Sequence, residues 1–329
     1  MTALRAALRH PEAVIAAVLL AAMVIIGLVN PAFWGLDNLF GLLRSNIVTG
    51  IMALGVLMVM ITGGIDVSFP AFAVAAMYLV VGWMADTSYQ GLVLPFIAAT
   101  LIGLALGACN ALFIRAFRMI PLIVTLGTAS VVRGLLLGVV GTSVININRM
   151  PPSLIDFGKS DILTVTNPDG TRYGLTAMIL IYAALALGVH LILRHSVIGR
   201  GLYAYGGSPE AASRVGFDTR KILGLAYCGA GALAGFAGLL HSSMIWLANP
   251  RDFVGLELDV IAAVVLGGAS IFGGRGSVVG TMLGVFLLVM IKNSLILMHI
   301  DTTWQQVVVG LIIVGSTALT ALRDRKRLA

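Results

Sequence analysis

The chain has 329 residues, of which 59% are hydrophobic and 11% charged, with a formal net charge of +7. Soluble domains carry about 25% charged residues, so the composition excludes a soluble globular chain. The basic residues flank apolar runs instead of gathering on one face or arm, which sets nucleic-acid binding aside.

Arg5, Arg9 and His10 precede a first apolar run over 12–29. It ends in GLVNPAFWG without the small-residue pattern of a cleavage site, so it is expected to remain as a helix. Further runs lie near 45–62, 66–85, 91–114, 120–141, 174–193, 222–244, 258–272, 278–298 and 304–322. The total is about ten spans, judged against the roughly 20 residues that cross a bilayer. The expected fold is an all-α, polytopic membrane helical bundle, a single transmembrane domain over 1–329. Placing both termini in the cytoplasm puts two-thirds of the 21 basic residues inside and most acids outside, as the positive-inside bias requires. An external loop then spans about 143–173, where Pro151-Pro152 and Asn167-Pro168-Asp169-Gly170 signal turns. A cytoplasmic loop spans about 194–221.

The stretch VMITGGIDVSFP, residues 59–70, interrupts this greasy sequence. Gly63-Gly64 breaks the helix and frees backbone groups that need partners. Asp66 and Ser68 supply side-chain oxygens to cap the next helix, and Pro70 falls in its first turn. An ionisable group at this depth is also a pathway hypothesis, and broken helices line transport cavities. Capping and lining both stand at this point. Asn110, Thr125, Thr128 and Ser130 add polar groups at helix depth, able to pair with the hydroxyls or amides of a neutral polar solute. Interhelical packing is the competing role for such small residues. The substrate-path candidates are Gly63, Gly64, Asp66, Ser68, Asn110, Thr125 and Thr128. Arg133 either snorkels toward the outer surface or pairs with an acid.

Other patterns carry no chemistry. DFGKSD holds the tail of a phosphate-binding loop, but Ser153 stands where its first glycine belongs. GRGLYA and GAGALA fit a dinucleotide pattern without a preceding strand, so close helix packing explains them better. The five histidines lack ligand spacing, and Cys109 and Cys228 sit singly in apolar segments as packing residues. No catalytic group and no metal site is expected. Gly103-x-x-x-Gly107 and Gly280-x-x-x-Gly284 form faint echoes of each other. GGASIFGGRGS, ending at Ser277, is expected to be a tight cytoplasmic turn.

The cytoplasmic loop reads GRGLYAYGGSPEAASRVGFDTRKI. Ser208 fits an N-cap, Pro209 the first helical position and Glu210 the first turn, while Gly216 supplies a stop. A brief helix is expected, with Ala211 and Ala212 allowing close approach and Glu210 and Arg214 offering polar handles. An ordinary solvated helix-turn would have the same pattern.

EAASRVG resembles the E-A-A-x-x-x-G signature of permease subunits of ABC importers, carried here by Glu210, Ala211, Ala212 and Gly216. The later isoleucine and leucine-proline of the longer signature are not present at their usual spacing. TGGIDVS, IVTLGTASVVRGL and ELDVIAAVVLGGASIFGGRGSVVGTMLG are similar to the monosaccharide branch of that family, which includes ribose, galactose-type, xylose and autoinducer-2 permeases. Phe69-Pro70 departs from the usual Val-Gly. The likeness runs over roughly 45–322. It implies a non-catalytic subunit of a bacterial inner membrane importer that works as a dimer with a second copy or a homologous permease. It also implies a cytoplasmic ABC ATPase docked on Ser208, Pro209, Glu210, Ala211, Ala212, Arg214 and Gly216, and an extracytoplasmic sugar-binding protein. No cofactor is implied on this chain, and ATP and Mg belong to the ATPase. An ion-coupled secondary carrier is the alternative, which would need several membrane carboxylates where only Asp66 qualifies firmly.

Overall fold

The structure, a computed structural model, describes residues 11–166 and 170–298, with 304, 307, 310, 311 and 314 beyond them. It is a multi-pass helical membrane protein. Among the described residues, eight helices are long and apolar enough to cross a bilayer. They are α1 (Pro11–Val29), α2 (Leu36–Ile61), α3 (Phe69–Thr87), α4 (Val93–Phe117), α5 (Pro121–Leu135, extended by a π-helical turn to Val140), α7 (Met178–His195), α10 (Thr219–Ile245) and α12 (Val278–Leu297). Shorter elements are α6 (Pro152–Gly158), α8 (Val197–Gly207), α9 (Pro209–Arg214) and α11 (Leu256–Leu266).

The expected span at 258–272 is helical over only part of its length. Only α11 is helical there, and its 11 residues reach about 16 Å at 1.5 Å per residue, half of a ~30 Å hydrocarbon core. The rest of the passage is non-helical chain between Ala248, which is bonded to Ile145 in the expected external loop, and α11; positive φ at Gly268, Gly273 and Gly274 then forms the turn expected over GGASIFGGRGS and leads into α12. The expected span at 304–322 lies outside the described residues apart from the five named above. The second helix begins at Leu36 instead of 45, and within it the half-buried Arg44 guanidinium donates to the Met244 carbonyl at 2.5 Å.

The all-α expectation needs one addition. Within the expected external loop, β1 (Asp161–Thr166) and β2 (Arg172–Thr176) pair antiparallel, with Leu163 opposite Leu175 and Val165 opposite Tyr173. The hairpin forms where β-branched residues and the turn signals meet.

The core runs along α2, α3 and α10. Most of α2 is buried on every face, which is how a helix apolar all round is accommodated. The α10 helix packs on α4, α2 and α3. Its seam with α4 is made by glycine: a Cβ on Gly103 would stand 2.1 Å from the Gly231 carbonyl oxygen, and one on Gly231 would stand 2.2 Å from that of Gly103. Gly107 meets Tyr227 and Gly235 meets Ala99 in the same way. Small residues let backbones touch where lipid supplies no hydrophobic drive for association. Gly280 and Gly284 serve the α11–α12 hairpin likewise, against Gly267 and Ala263. Both G-x-x-x-G pairs are therefore packing faces, as is the GAGALA segment.

Candidate functional site

At the end of the bundle that the charge bias assigns to the cytoplasm, α9 forms as the sequence expects. Ser208 accepts from the Ala211 N–H at 3.2 Å, Pro209 opens the helix and Gly216 leaves it at φ 94. Glu210, Ala211 and Arg214 are exposed, but Ala212 is buried and faces this chain. Val215, 74% exposed, takes the outward place expected of Ala212. Its neighbour Gly216 announced the turn but not which side chain would project from it. Asp218 caps α10 by accepting from the N–H groups of Arg220 and Lys221 at 3.0 and 3.1 Å. The Lys221 backbone N–H, more than any other group, holds the Asp218 carboxyl below the usual carboxylate range. Burial, and secondarily the charge on Glu210, pushes the Tyr205 phenol up.

The turn is fastened to the membrane helices behind it. Gly206, at the end of α8, has so little space that a Cβ would lie 1.8 Å from the Ile61 carbonyl oxygen. That same carbonyl accepts from the Gly274 N–H at 2.8 Å, and the Tyr203 hydroxyl donates to the Gly276 carbonyl at 2.7 Å. Three glycine-bearing segments thus meet: the end of α8, the turn after α11 and the Gly63-Gly64 break at the end of α2.

From that break the chain runs directly into a buried polar clasp. Asp66 Oδ1 accepts from the Ser68 N–H at 2.7 Å and from the Ser68 hydroxyl at 2.5 Å. Asn110 Nδ2 donates to Ser68 Oγ at 2.8 Å, and the Thr128 hydroxyl donates to Asn110 Oδ1 at 2.7 Å. The Val67 N–H donates to Thr125 Oγ1 at 3.3 Å. Donors run one way, from Thr128 through Asn110 and Ser68 to the carboxylate, so Asp66 anchors a chain that joins the start of α3 to α4 and α5. Asp66, Ser68, Asn110 and Thr125 are all within 1% of complete burial. A buried polar group left unpaired is costly, and here each finds a partner in the set.

The structure therefore brings together five of the seven path candidates, Asp66, Ser68, Asn110, Thr125 and Thr128. It places Gly63 and Gly64 apart, on the wall of a cavity of about 590 Å³ that opens at the basic end. Thr128 also borders an apolar cavity of about 480 Å³, together with Cys109, Phe113 and Gly127. Both cysteines are free thiols. Sequence reasoning missed Tyr227 of α10, whose hydroxyl lies where a Cβ on Gly64 would approach to 2.4 Å. Arg133 lies 3.8 Å from Glu257, the ion-pair alternative, and Lys292 is paired with Asp259.

A family profile described as "branched-chain amino acid transport system / permease component" matches residues 38–317. The chain belongs to that permease family. It is 34% identical to a ribose import permease protein of Bacillus subtilis over 93% of this chain and 90% of that one. It is 31% identical to a ribose import permease protein of Escherichia coli, over 94% and 92%. An autoinducer 2 import system permease protein of Yersinia enterocolitica is 30% identical over 90% and 79%. No solved structure gives a significant match. The matched region of the family profile takes in the break, the clasp and the α8–α9 turn.

Proposed function

We propose that this chain is the membrane-spanning subunit of an ATP-driven importer in a bacterial inner membrane, and that it carries a monosaccharide or a similar small polyhydroxylated solute. The observation that carries the reading is α9: a capped helix, exposed at the basic end, whose root is wedged against Ile61 and the break leading to the clasp. A push on such a turn reaches the break at Gly63-Gly64 through backbone contacts, and α4 and α5 beyond it through the buried side-chain bonds of the clasp. That suits a two-state element biased by ATP binding in a partner. The ATPase would hold ATP and magnesium and do the hydrolysis, with no cofactor on this chain. A second copy or a homologous permease would complete the path, and an extracytoplasmic binding protein would deliver the solute. The family description names branched-chain amino acids, whereas the full-length relatives named above are ribose and autoinducer 2 permeases; the relatives favour the sugar-like class.

An ion-coupled carrier needs carboxylates free to take up an ion. The carboxylates deep in the described spans are engaged: Asp66 in the clasp, Asp259 by Lys292 and Glu257 beside Arg133. The test is to purify the chain from its native membranes in mild detergent, beside a Glu210→Ala, Gly216→Pro variant. Proline cannot adopt φ 94, and it removes the Gly216 N–H that reaches the Ser213 carbonyl. An ABC ATPase recovered with the parent and lost from the variant is the expected result. A chain that purifies alone and moves sugar into liposomes without ATP would overturn the proposal.

A further inference from the structure

The cavity at the basic end, which Pro209 of α9 borders, gathers arginines that the clasp does not use. It opens between the α4–α5 turn, Thr62–Gly64, the α8–α9 turn at Tyr205 and Pro209, and the start of α10. Arg115 enters from the last turn of α4, Arg118 from its C-cap and Arg220 from the first turn of α10. No aspartate or glutamate lines it. Among the described residues, none of the three guanidiniums pairs with a carboxylate. The acids of the adjoining loop are already engaged: Asp218 by backbone N–H groups and Lys221, and Glu210 by the Ser208 hydroxyl at 3.3 Å.

Three like charges around one hollow repel each other unless an anion sits among them. Planar guanidiniums match phosphate oxygens in bidentate pairs. Pro121 is also on the wall, where the uncapped positive end of α5 faces the negative end of α4, so the positive field of the cavity comes from the three guanidiniums. Tyr205 and Thr219 contribute hydroxyls. The flanking surface is apolar, with Phe117 67% and Ile120 63% exposed on either side of Arg118. A basic pocket between membrane helices with greasy neighbours is the arrangement that holds an anionic headgroup with its acyl chains alongside.

We propose that the cavity lined by Arg115, Arg118 and Arg220 binds a phosphate group, and that its apolar flank makes an anionic phospholipid the source. Bound there, the headgroup ties the α4–α5 turn to the break at Gly63-Gly64 and to the root of α10, the parts that must shift if the α8–α9 turn moves. The site stands on its own residues, and its test requires no transport.

Thermal unfolding of the full chain would be compared in nanodiscs of phosphatidylcholine and of an equal mixture of phosphatidylcholine and phosphatidylglycerol. A second arm compares inorganic phosphate with chloride at matched ionic strength, on detergent-solubilised protein. The variants are Arg118→Gln with Arg220→Gln, and Arg200→Gln as a control for general loss of positive charge at this end. The expected result is a higher unfolding midpoint with phosphatidylglycerol, lost in the double variant and kept in the control. Each arginine removed is expected to weaken phosphate binding about tenfold. A shift with inorganic phosphate but none with phosphatidylglycerol would keep the site and reassign its source to free phosphate. Should the double variant not fold, Arg220→Lys, which keeps the charge but loses the fork, is expected to show a reduced shift. No shift of the parent in either arm would overturn the proposal and leave the cavity to a carboxylate of a partner protein. A shift equal in parent and double variant would overturn it as well.

Discussion

Replacing Asp66 by asparagine separates charge from shape in the clasp. The amide oxygen can accept from the Ser68 N–H and hydroxyl at the positions now occupied at 2.7 and 2.5 Å, so both bonds survive as neutral ones. Bonds to a charged group contribute about 1.5–3 kcal/mol and neutral ones about 0.5–1.5, which puts the loss at about 2 kcal/mol for the pair. The amide also escapes the desolvation penalty of a buried carboxylate, so the net loss is expected to be about 1 kcal/mol. Asp66→Ala removes the acceptor altogether. It strands the Ser68 N–H at a residue with no exposed surface and deprives the chain from Thr128 of its end point. Unpaired buried groups cost about 1–3 kcal/mol each, so about 3 kcal/mol is expected. The assay heats detergent-solubilised protein and follows the folded peak by size exclusion, with uptake measured after reconstitution with the partners. The parent and Asp66→Asn should lie close together, with Asp66→Ala well below. An asparagine variant as unstable as the alanine variant would refute the hydrogen-bond reasoning. Parental stability and assembly with no uptake would instead put Asp66 on the path of the cargo.

Two further perturbations test the packing. Gly103→Val places its Cβ about where the Gly231 carbonyl oxygen lies, 2.1 Å away, and neither backbone can yield; loss of monodisperse protein on size exclusion is expected, whereas Gly127→Ala, with nothing within 4 Å of its Cβ, should be neutral or stabilising by up to about 1 kcal/mol. Lys292→Met alone leaves the Asp259 carboxylate without its partner. With Lys292 about a third exposed, the cost is discounted from that of a fully buried pair to about 1–3 kcal/mol, and adding Asp259→Leu should recover much of it in the same thermal assay; a double variant as unstable as the single one would refute the unpaired-charge argument.

Much of this molecule was legible because membrane proteins write local rules plainly. The helix stop at Gly63-Gly64, the Ser208 cap, Pro209 and the Gly216 stop depend on residues within four positions of one another, and the structure has each of them. The glycine faces at 103 and 107 were visible as spacing, although their partner could not be read: Gly231 becomes a neighbour of Gly103 only when α10 lies along α4. At 258–272 the helix is shorter than the apolar run suggested, because an even hydropathy has no period that separates a full-length helix from a short one followed by a turn. The glycine pairs within GGASIFGGRGS carried the correct signal, and the positive φ at Gly268 and Gly273 explains it.

The amino-acid sequence by itself thus determined the solvent, the run of spans through α10, the break before Asp66 and the existence of α9. Each follows from transfer free energy, charge bias or capping between near neighbours. Only the tertiary structure decided that Asn110, 42 residues from Ser68, completes the clasp. It also decided that Val215, and not Ala212, faces outward, and that Arg115 and Arg118 meet Arg220 in one cavity. These depend on how distant helices pack against one another, and a side chain's partner across a helix interface has no counterpart in the local pattern of the chain.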